Sequence, residues 1–262
     1  VTTGSLSITS GQTFNGNPLD VCSIINVTDA TLTDVTISET ATVSASDDFN
    51  DNSLDAKWTK TDIGPDATGA PVESGGTLEL FGGGTDIWGT TDEFTYLHQQ
   101  VTGDFTMEVE VQSLNNVGGN AWHKSGLMAR ESLNGDSVNV NMMVTPGNGV
   151  TFEQRPTTGA TSVSQADAVG TAPKWIRIQR TGNSWRAWWS NDGVAWTENT
   201  GGAVNVTMPA TVYFGLAVTS HSQGTIDSAV FENFTTDATI VGTNVLYNDN
   251  TDPVACSGID TS

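Results

Sequence analysis

Positive charge is scarce in this chain of 262 residues. Its 9 Lys and Arg face 30 Asp and Glu, which gives a formal net charge of −21. Binding to nucleic acid requires cations that displace the counterions of the phosphates, and an anionic membrane surface repels a chain of this charge. The composition therefore argues against both nucleic acid and anionic membranes as partners.

Long apolar runs and helix-forming residues are also scarce. No run of 18 apolar residues occurs, so the sequence predicts no insertion into a membrane. Ala, Leu, Lys and Glu are sparse, whereas the chain holds 39 Thr and 28 Gly. Because Thr favours strands and Gly favours turns, the composition predicts an all-β fold.

The chain has two cysteines, Cys22 and Cys256, one near each end. They form no CxxC pattern of the kind that indicates a metal site. We predict a disulfide between them, either within one chain or between two chains. Because disulfides persist in oxidising compartments, this pairing predicts an extracellular or cell-surface protein.

Charge and composition divide the chain into three zones. All nine cations lie between Lys57 and Arg186, and residues 1–56 and 187–262 carry eight acids each. Every Trp lies in the central zone, residues 47–236, whereas residues 1–46 and 237–262 are rich in Thr, Ser, Asn and Asp. We predict one domain over residues 47–236 and a small split β module made of residues 1–46 and 237–262.

The central zone has the pattern of many short antiparallel strands. Residues 104–114 alternate apolar and polar side chains, which is typical of a half-buried strand. The Asp192-Gly193 pair is a strong hairpin signal. Strands spaced 10–15 residues apart without helical periods are typical of a β-sandwich.

A series of motifs in this zone resembles a known superfamily. In chain order they are GTDIWG (84–89), VTGDF (101–105), WHKSGLMARE (122–131), VTPGNGV (144–150), SNDGVAW (190–196) and GLAVTSH (215–221). The set resembles bacterial extracellular modules of the concanavalin A-like lectin/glucanase superfamily, close to laminin G-like domains. The resemblance covers about residues 47–236 and implies a two-sheet antiparallel jelly roll.

Aromatic and cationic residues within or beside these motifs are candidates for a ligand face. Exposed Trp or Tyr offers a flat platform to the C–H face of a sugar, and neighbouring polar groups fix its orientation. The candidate ligand-binding residues are Trp88, Tyr96, Trp122, Lys124, Arg130 and His221. The alternative for Trp88 and Trp122 is packing in the core. Core or hairpin packing is also the prediction for Trp175, Trp185, Trp188 and Trp196.

No catalytic pattern is complete. The resemblance implies that a glucanase of this superfamily would carry Glu-x-Asp-x-(x)-Glu along one strand. The nearest match has Glu108 and Glu110, but Gln112 stands where the third acid is expected. The alternative is a solvated strand face, and no Ser-His-Asp or Cys-His pattern is evident. We therefore expect no enzymatic activity.

Calcium is the predicted cofactor. Ca²⁺ binds six to eight oxygen atoms from carboxylates, amides and carbonyls, and residues 47–55 and 248–253 are rich in such groups. We predict Asp47, Asp48 and Asp227 as metal ligands. The alternative is that these acidic loops are merely solvated.

Three function classes compete. The leading prediction is a non-catalytic extracellular or cell-surface adhesion or glycan-binding protein, with glycans or a surface polysaccharide as partner. The second is a self-assembling structural subunit of an extracellular filament or surface layer, in which the chain ends pair between copies. The third is a glycosidase that acts on polysaccharides.

Overall fold

The computed structural model describes the backbone of residues 13–14, 17–18 and 36–248, and the side chains of residues 44–240. The chain divides into two compact units, Ser44–Ile240 and a second unit of Val1–Val43 with Val241–Ser262. Most of the second unit lies outside the described residues. The predicted split module and the Cys22–Cys256 disulfide therefore stay predictions.

Two short ribbons belong wholly or partly to the second unit. Strand β1 (Thr13–Phe14) pairs antiparallel with β2 (Asn17–Pro18). Strand β3 (Thr36–Ser44) pairs with β20 (Thr239–Asn248). Within the described part of the chain, no helix has the length and apolarity needed to cross a membrane.

Sheet I is the first of two eight-stranded antiparallel sheets in residues 44–240. Its strands are β4 (Thr59–Ile63), β7 (Asp86–Trp88), β8 (Thr91–Thr102), β10 (Lys124–Arg130), β11 (Asn139–Val144), β12 (Val150–Arg155), β13 (Val163–Asp167) and β18 (Thr211–Thr219). The order is β13-β12-β11-β10-β18-β8-β4, and β7 also pairs with β8.

Sheet II has the same number of strands and the same antiparallel pairing. Its strands are β5 (Val72–Ser74), β6 (Thr77–Gly82), β9 (Phe105–Asn115), β14 (Lys174–Thr181), β15 (Ser184–Ser190), β16 (Thr197–Glu198), β17 (Val204–Asn205) and β19 (Asp227–Thr236). The order is β16-β15-β14-β9-β19-β6-β5, and β17 also pairs with β15. The two sheets confirm the predicted all-β sandwich.

The main core lies between the sheets. On β9 the apolar residues Met107 and Val109 are fully buried, whereas the alternate residues Glu108 and Glu110 are partly exposed. Fully burying one such apolar side chain contributes about 1.5–3 kcal/mol. The alternation predicted for residues 104–114 therefore places one face of β9 in the core and the other toward solvent.

Sheet I is buried on both faces. Every residue of β10 and β11 is buried, including those that point away from the main core. A second apolar cluster covers this outer face, with Ile87 of β7 packed against Phe94 and Met128. Polar side chains fill the rest of the covered face. The segment Asp86–Trp88 thus lies over the centre of sheet I, and it positions the candidate site.

Candidate functional site

Four of the six predicted ligand residues meet at one place. Trp88 ends β7, Lys124 begins β10, and His221 follows β18. The Nζ atom of Lys124 lies 5.3 Å from the ring centroid of Trp88 and 5.9 Å from that of Trp122. Both indoles are partly exposed, Trp88 to 37% and Trp122 to 38%. We call Trp88, Trp122, Lys124 and His221, with Asp86, the indole site.

Lys124 is held rigidly beneath the two indoles. Its ammonium donates to the carbonyl oxygen of Ile87 at 2.8 Å. It also lies 2.9 Å from Asp86 Oδ1 and 3.2 Å from Glu153 Oε1. Because Lys124 is only 2% exposed, these contacts replace the water that an ammonium needs. Lys124 therefore positions the residues around it, and its ammonium is not exposed for contact with a ligand.

His221 is fixed by hydrogen bonds to both ring nitrogens. The Asn120 side-chain amide donates to Nδ1 at 3.1 Å and to the His221 carbonyl at 3.0 Å. Nδ1 is therefore the acceptor, so Nε2 carries the ring proton toward Asp86 Oδ2, 3.1 Å away. The backbone of His221 has a φ of 56°, in the left-handed region that few side chains adopt. The turn after β18 therefore holds the His221 ring in this orientation.

Asp86 and Glu153 share the single Lys124 cation in unlike surroundings. The side chain of Asp86 is 21% exposed, whereas that of Glu153 is 2% exposed. Burial raises the pKa of Glu153 to about 7, with Asp86 adding to the rise and Lys124 opposing it. Near neutral pH the buried carboxyl can therefore hold or release a proton, beside a second carboxyl that faces the solvent.

The other two predicted ligand residues lie deeper. Tyr96 is fully buried, and its hydroxyl donates to the carbonyl of Met128 at 3.0 Å. Arg130 is fully buried too, and its Nε donates to the carbonyl of Ser132 at 2.6 Å. Neither side chain reaches the surface of the indole site, because the cluster over sheet I covers them both.

The predicted metal ligands do not converge. Asp47 pairs with Phe234, near the end of β19, whereas Asp227 begins that strand. Seven residues of strand separate those two positions by roughly 20 Å. Among the described residues, no group of three His, Cys, Asp or Glu is arranged to hold a metal ion. Asp47, Asp48 and Asp227 therefore form no single ligand set.

Asp227 instead belongs to a buried polar chain that the sequence did not reveal. His123 Nε2 lies 2.8 Å from Ser125 Oγ, and His123 Nδ1 lies 3.3 Å from Asp227 Oδ2. All three residues are at most 1% exposed, so a substrate has no access to the serine. Since Ser125 is on β10 and Asp227 on β19, this group of three side chains bridges the two sheets.

The sequence analysis did not identify three other residues of the site, Asp86, Asn120 and Glu153. Asp86 lies inside the GTDIWG motif, and Asn120 lies two residues before Trp122, so both had neighbours that were singled out. The signal for Glu153 is the run Val150–Glu153, in which apolar residues alternate with polar ones. That run indicates a strand with one polar face, but not that the face is buried.

Comparisons with known proteins support the fold. No protein-family model and no curated protein matches this chain. A functionally unknown protein from Saccharomyces cerevisiae matches in its crystal structure, with a TM-score of 0.54 and 16% identity. The match covers 70% of this chain and 97% of the yeast chain.

Two GH43 proteins also share the fold. A mutant of BlXynB from Bacillus licheniformis matches with a TM-score of 0.56 and 15% identity, over 74% of this chain and 39% of that chain. GH43B from the Bacteroides ovatus xyloglucan PUL has a TM-score of 0.51 and 16% identity, over 80% of this chain and 41% of that chain. This chain therefore spans about two fifths of the GH43 chains that it matches.

These structures correct the leading functional prediction. A non-catalytic adhesion or glycan-binding protein was expected, but the structural neighbours include glycoside hydrolases. The prediction is therefore wrong in its function class. The absence of a complete catalytic pattern along one strand led to it, because such a pattern reports only on residues that lie close together in the chain. Pairing of the chain ends between copies involves residues mostly outside the described part, and it stays untested.

Proposed function

We propose that this chain acts on polysaccharides and holds the sugar at the indole site. The observation that carries the proposal is the pair of partly exposed indoles, Trp88 and Trp122, on either side of a fixed polar set. The GH43 proteins that share the sandwich favour the same substrate class, and with the sequence motifs they favour the concanavalin A-like superfamily. A polymeric glycan would be met outside the cell, which agrees with the predicted extracellular location.

The indole site supplies both kinds of contact that a sugar needs. The indole faces offer apolar area for the C–H face of a pyranose ring. Asp86 and His221 present oxygen and nitrogen atoms that bind hydroxyl groups, and both remain partly exposed. Lys124 keeps Asp86 in place through its 2.9 Å contact, so the acceptor is already oriented before the ligand arrives.

Hydrolysis is the action on polysaccharides that the indole site favours, through Asp86 and Glu153. Both carboxyls contact one ammonium, so their oxygens lie no more than about 6 Å apart, close to the separation in retaining glycosidases. Their unlike surroundings match the requirement for one protonated and one ionised group. For hydrolysis, Glu153 would have to be uncovered by a movement of the Asp86–Trp88 segment.

Binding to xylan, xyloglucan and β-glucan tests the main proposal, measured by calorimetry on the full chain. Trp122→Ala should weaken binding at least tenfold while the melting temperature changes little, because the indole is partly exposed. Val194→Ala, at an 81% exposed position away from the site, is the control. Unchanged binding by both Trp122→Ala and Trp88→Ala would contradict the proposal.

Release of reducing ends from the same polysaccharides tests hydrolysis separately. If Asp86 and Glu153 carry the reaction, Asp86→Asn and Glu153→Gln should each abolish release while binding persists. Binding without any release of reducing ends by the wild-type chain would support the expectation of no enzymatic activity.

A further inference from the structure

Three tryptophans lie on the opposite side of the sandwich from the indole site. Trp185 is fully buried in the core. Trp175, Trp188 and Trp196 are instead only partly buried, and the neighbours of Trp175 on β14 alternate between the core and the outer face of sheet II. Core packing therefore accounts for one of these four indoles, and the outer face of sheet II holds the rest.

Strand register builds a row of side chains across this outer face. Trp188 on β15 is directly opposite Arg177 on β14, which is opposite Glu108 on β9, which in turn is opposite Thr235 on β19. Four adjacent strands span about 14 Å at the usual spacing. A groove of about 470 Å³ follows the row, and Thr106, Gln179, Thr236 and Asp237 complete its lining.

Arg177 is fixed at the centre of the row. Its guanidinium carbon lies 3.8 Å from the ring centroid of Trp196 and 6.0 Å from that of Trp188. Its Nε is 2.8 Å from Glu108 Oε1. A stacked guanidinium with one edge held by a carboxylate still has N–H groups free to donate elsewhere. The row thus joins a partly exposed indole to oriented donors and to threonine hydroxyls.

The charge of the groove selects among ligands. Arg177 is the lone cation of the row, and Glu108, Asp237 and the neighbouring Glu110 are acidic. Burial and, to a smaller extent, the nearby carboxylate of Glu232 raise the pKa of Glu110. An anionic glycan would be repelled here, whereas hydroxyl groups can both accept from Arg177 and donate to the carboxylates.

We propose that the outer face of sheet II is a second polysaccharide-binding groove, which takes an extended, uncharged glycan chain across β15, β14, β9 and β19. Trp188 stacks against one sugar ring, and Arg177, Glu108 and Gln179 bind hydroxyl groups farther along the chain. The groove lies on the other face of the sandwich from the indole site. The substrate class rests on the proposed function, whereas the location of the groove does not.

Calorimetric titration of the full chain with xylohexaose, cellohexaose and an oligogalacturonide tests this groove. We expect the two uncharged oligosaccharides to bind at two sites and the acidic one not to bind in the groove. Trp188→Ala and Gln179→Ala should each weaken one site at least tenfold and leave the other unchanged. Val117→Ala is the control, because this residue is 72% exposed and does not line the groove.

The outcomes separate this groove from the indole site. Loss of one site in Trp188→Ala and of the other in Trp122→Ala supports both proposals. A single site that only Trp122→Ala removes overturns the groove, and a single site that only Trp188→Ala and Gln179→Ala remove overturns the indole site. Melting temperatures of all variants identify any that fail to fold, and Gln179→Ala keeps the test valid if Trp188→Ala does.

Discussion

Asp92 is a fully buried carboxylate that holds together the polar layer beneath the indole site. Both of its oxygens accept from Arg155, at 2.7 and 2.5 Å. Arg130 Nη1 lies 3.4 Å from the same carboxylate, and the Asn139 amide donates to it at 3.1 Å. Neither guanidinium has access to water, so both depend on this one negative charge.

Asp92→Asn should destabilise the sandwich by about 3–5 kcal/mol, because it leaves two buried guanidinium groups without their counter-charge. Urea unfolding of the two proteins measures the difference. Glu198→Gln is the control, since it breaks the exposed pair with Arg186 and should cost no more than about 1 kcal/mol. Equal stability of Asp92→Asn and the wild type would contradict the electrostatic role of Asp92.

His98 makes stability depend on acid pH. Burial, together with the charge of Arg130, lowers the pKa of His98 to about 4 in the folded chain. Between pH 6.5 and 4 the imidazole of His98 binds a proton in the unfolded chain but not in the folded chain. The contribution of His98 is therefore fully present above pH 6.5 and is lost as the pH falls toward 4.

His98→Gln should remove this dependence. From pH 7 to pH 4.5 the wild type should lose about 2–3 kcal/mol more stability than the variant does, measured by urea unfolding at each pH. All other titrating groups are common to the two proteins, so the comparison isolates His98. Parallel stability curves would show that His98 binds protons equally in both states.

Individual site residues were predictable from the sequence where they lie in a motif beside a turn. Trp88, Trp122 and His221 stood beside Gly-rich turns, and the structure brings them together. Arg130 lies in the same motif as Trp122, and Tyr96 lies between two motifs, yet both are buried. The difference is that Ile87 and the loop after β10 cover part of sheet I. A local sequence pattern does not predict that a segment distant in the chain will cover a residue.

At the scale of elements, β18 depends on a glycine in its centre. A Cβ atom at Gly215 would lie 2.1 Å from the carbonyl oxygen of Leu97 on β8, and the φ of Gly215 is 153°. A side chain here must push apart two paired central strands of sheet I. Gly215 therefore allows the close approach of β18 to β8.

Gly215→Ala should destabilise the chain by about 3 kcal/mol, because the added methyl group has to displace the backbone of β8. Gly69→Ala is the matched control, since a Cβ atom there meets nothing within 4 Å. Thermal unfolding of both variants measures the contrast. Equal melting temperatures would mean that the strands can separate without cost at this point.

Strand patterns were predictable in sheet II and less so in sheet I. β9 alternates buried and partly exposed residues, as a strand with one solvated face does. β10 and β11 are buried throughout, although Lys124, Arg130, Asn139 and Asn141 are polar. Lys124, Arg130 and Asn139 contact carboxylates of distant segments, and a local sequence pattern does not reveal such contacts.

At the scale of the whole molecule, negative charge without matching cations should make stability sensitive to calcium. Glu73 is 9% exposed, and burial together with the neighbouring Asp51 carboxyl raises its pKa. A cation at this pair would relieve both the repulsion and the desolvation. Asp47 and Asp48, two of the three predicted calcium ligands, lie in the same loop as Asp51, whereas Glu73 is a further carboxyl that the sequence analysis did not include.

Millimolar Ca²⁺ should raise the melting temperature above that in EDTA with NaCl at matched ionic strength. A site filled at 100 times its dissociation constant adds about 2.7 kcal/mol. Glu73→Gln should reduce the effect. Equal melting temperatures in the two buffers would exclude a specific calcium site, because screening by salt is the same in both.

The class of the whole fold was predictable, whereas its function class was not. Strand-forming composition, turn signals and motif order all led to the sandwich. Function resides in sites placed on a fold, and the same sandwich serves proteins of different activity. Asp86 and Glu153 lie far apart in the chain, so their meeting at Lys124 depends on sheet pairing that composition does not report.

Burial of sheet I on both faces has a consequence for motion. The amide groups of β10 and β11 lie in paired strands with no solvated side, so no local fraying brings water to them. Their deuterium uptake should occur only through unfolding of the entire Ser44–Ile240 unit. The slowest exchange rates in the protein would then report its global stability directly, whereas short edge strands such as β5 and β16 exchange long before.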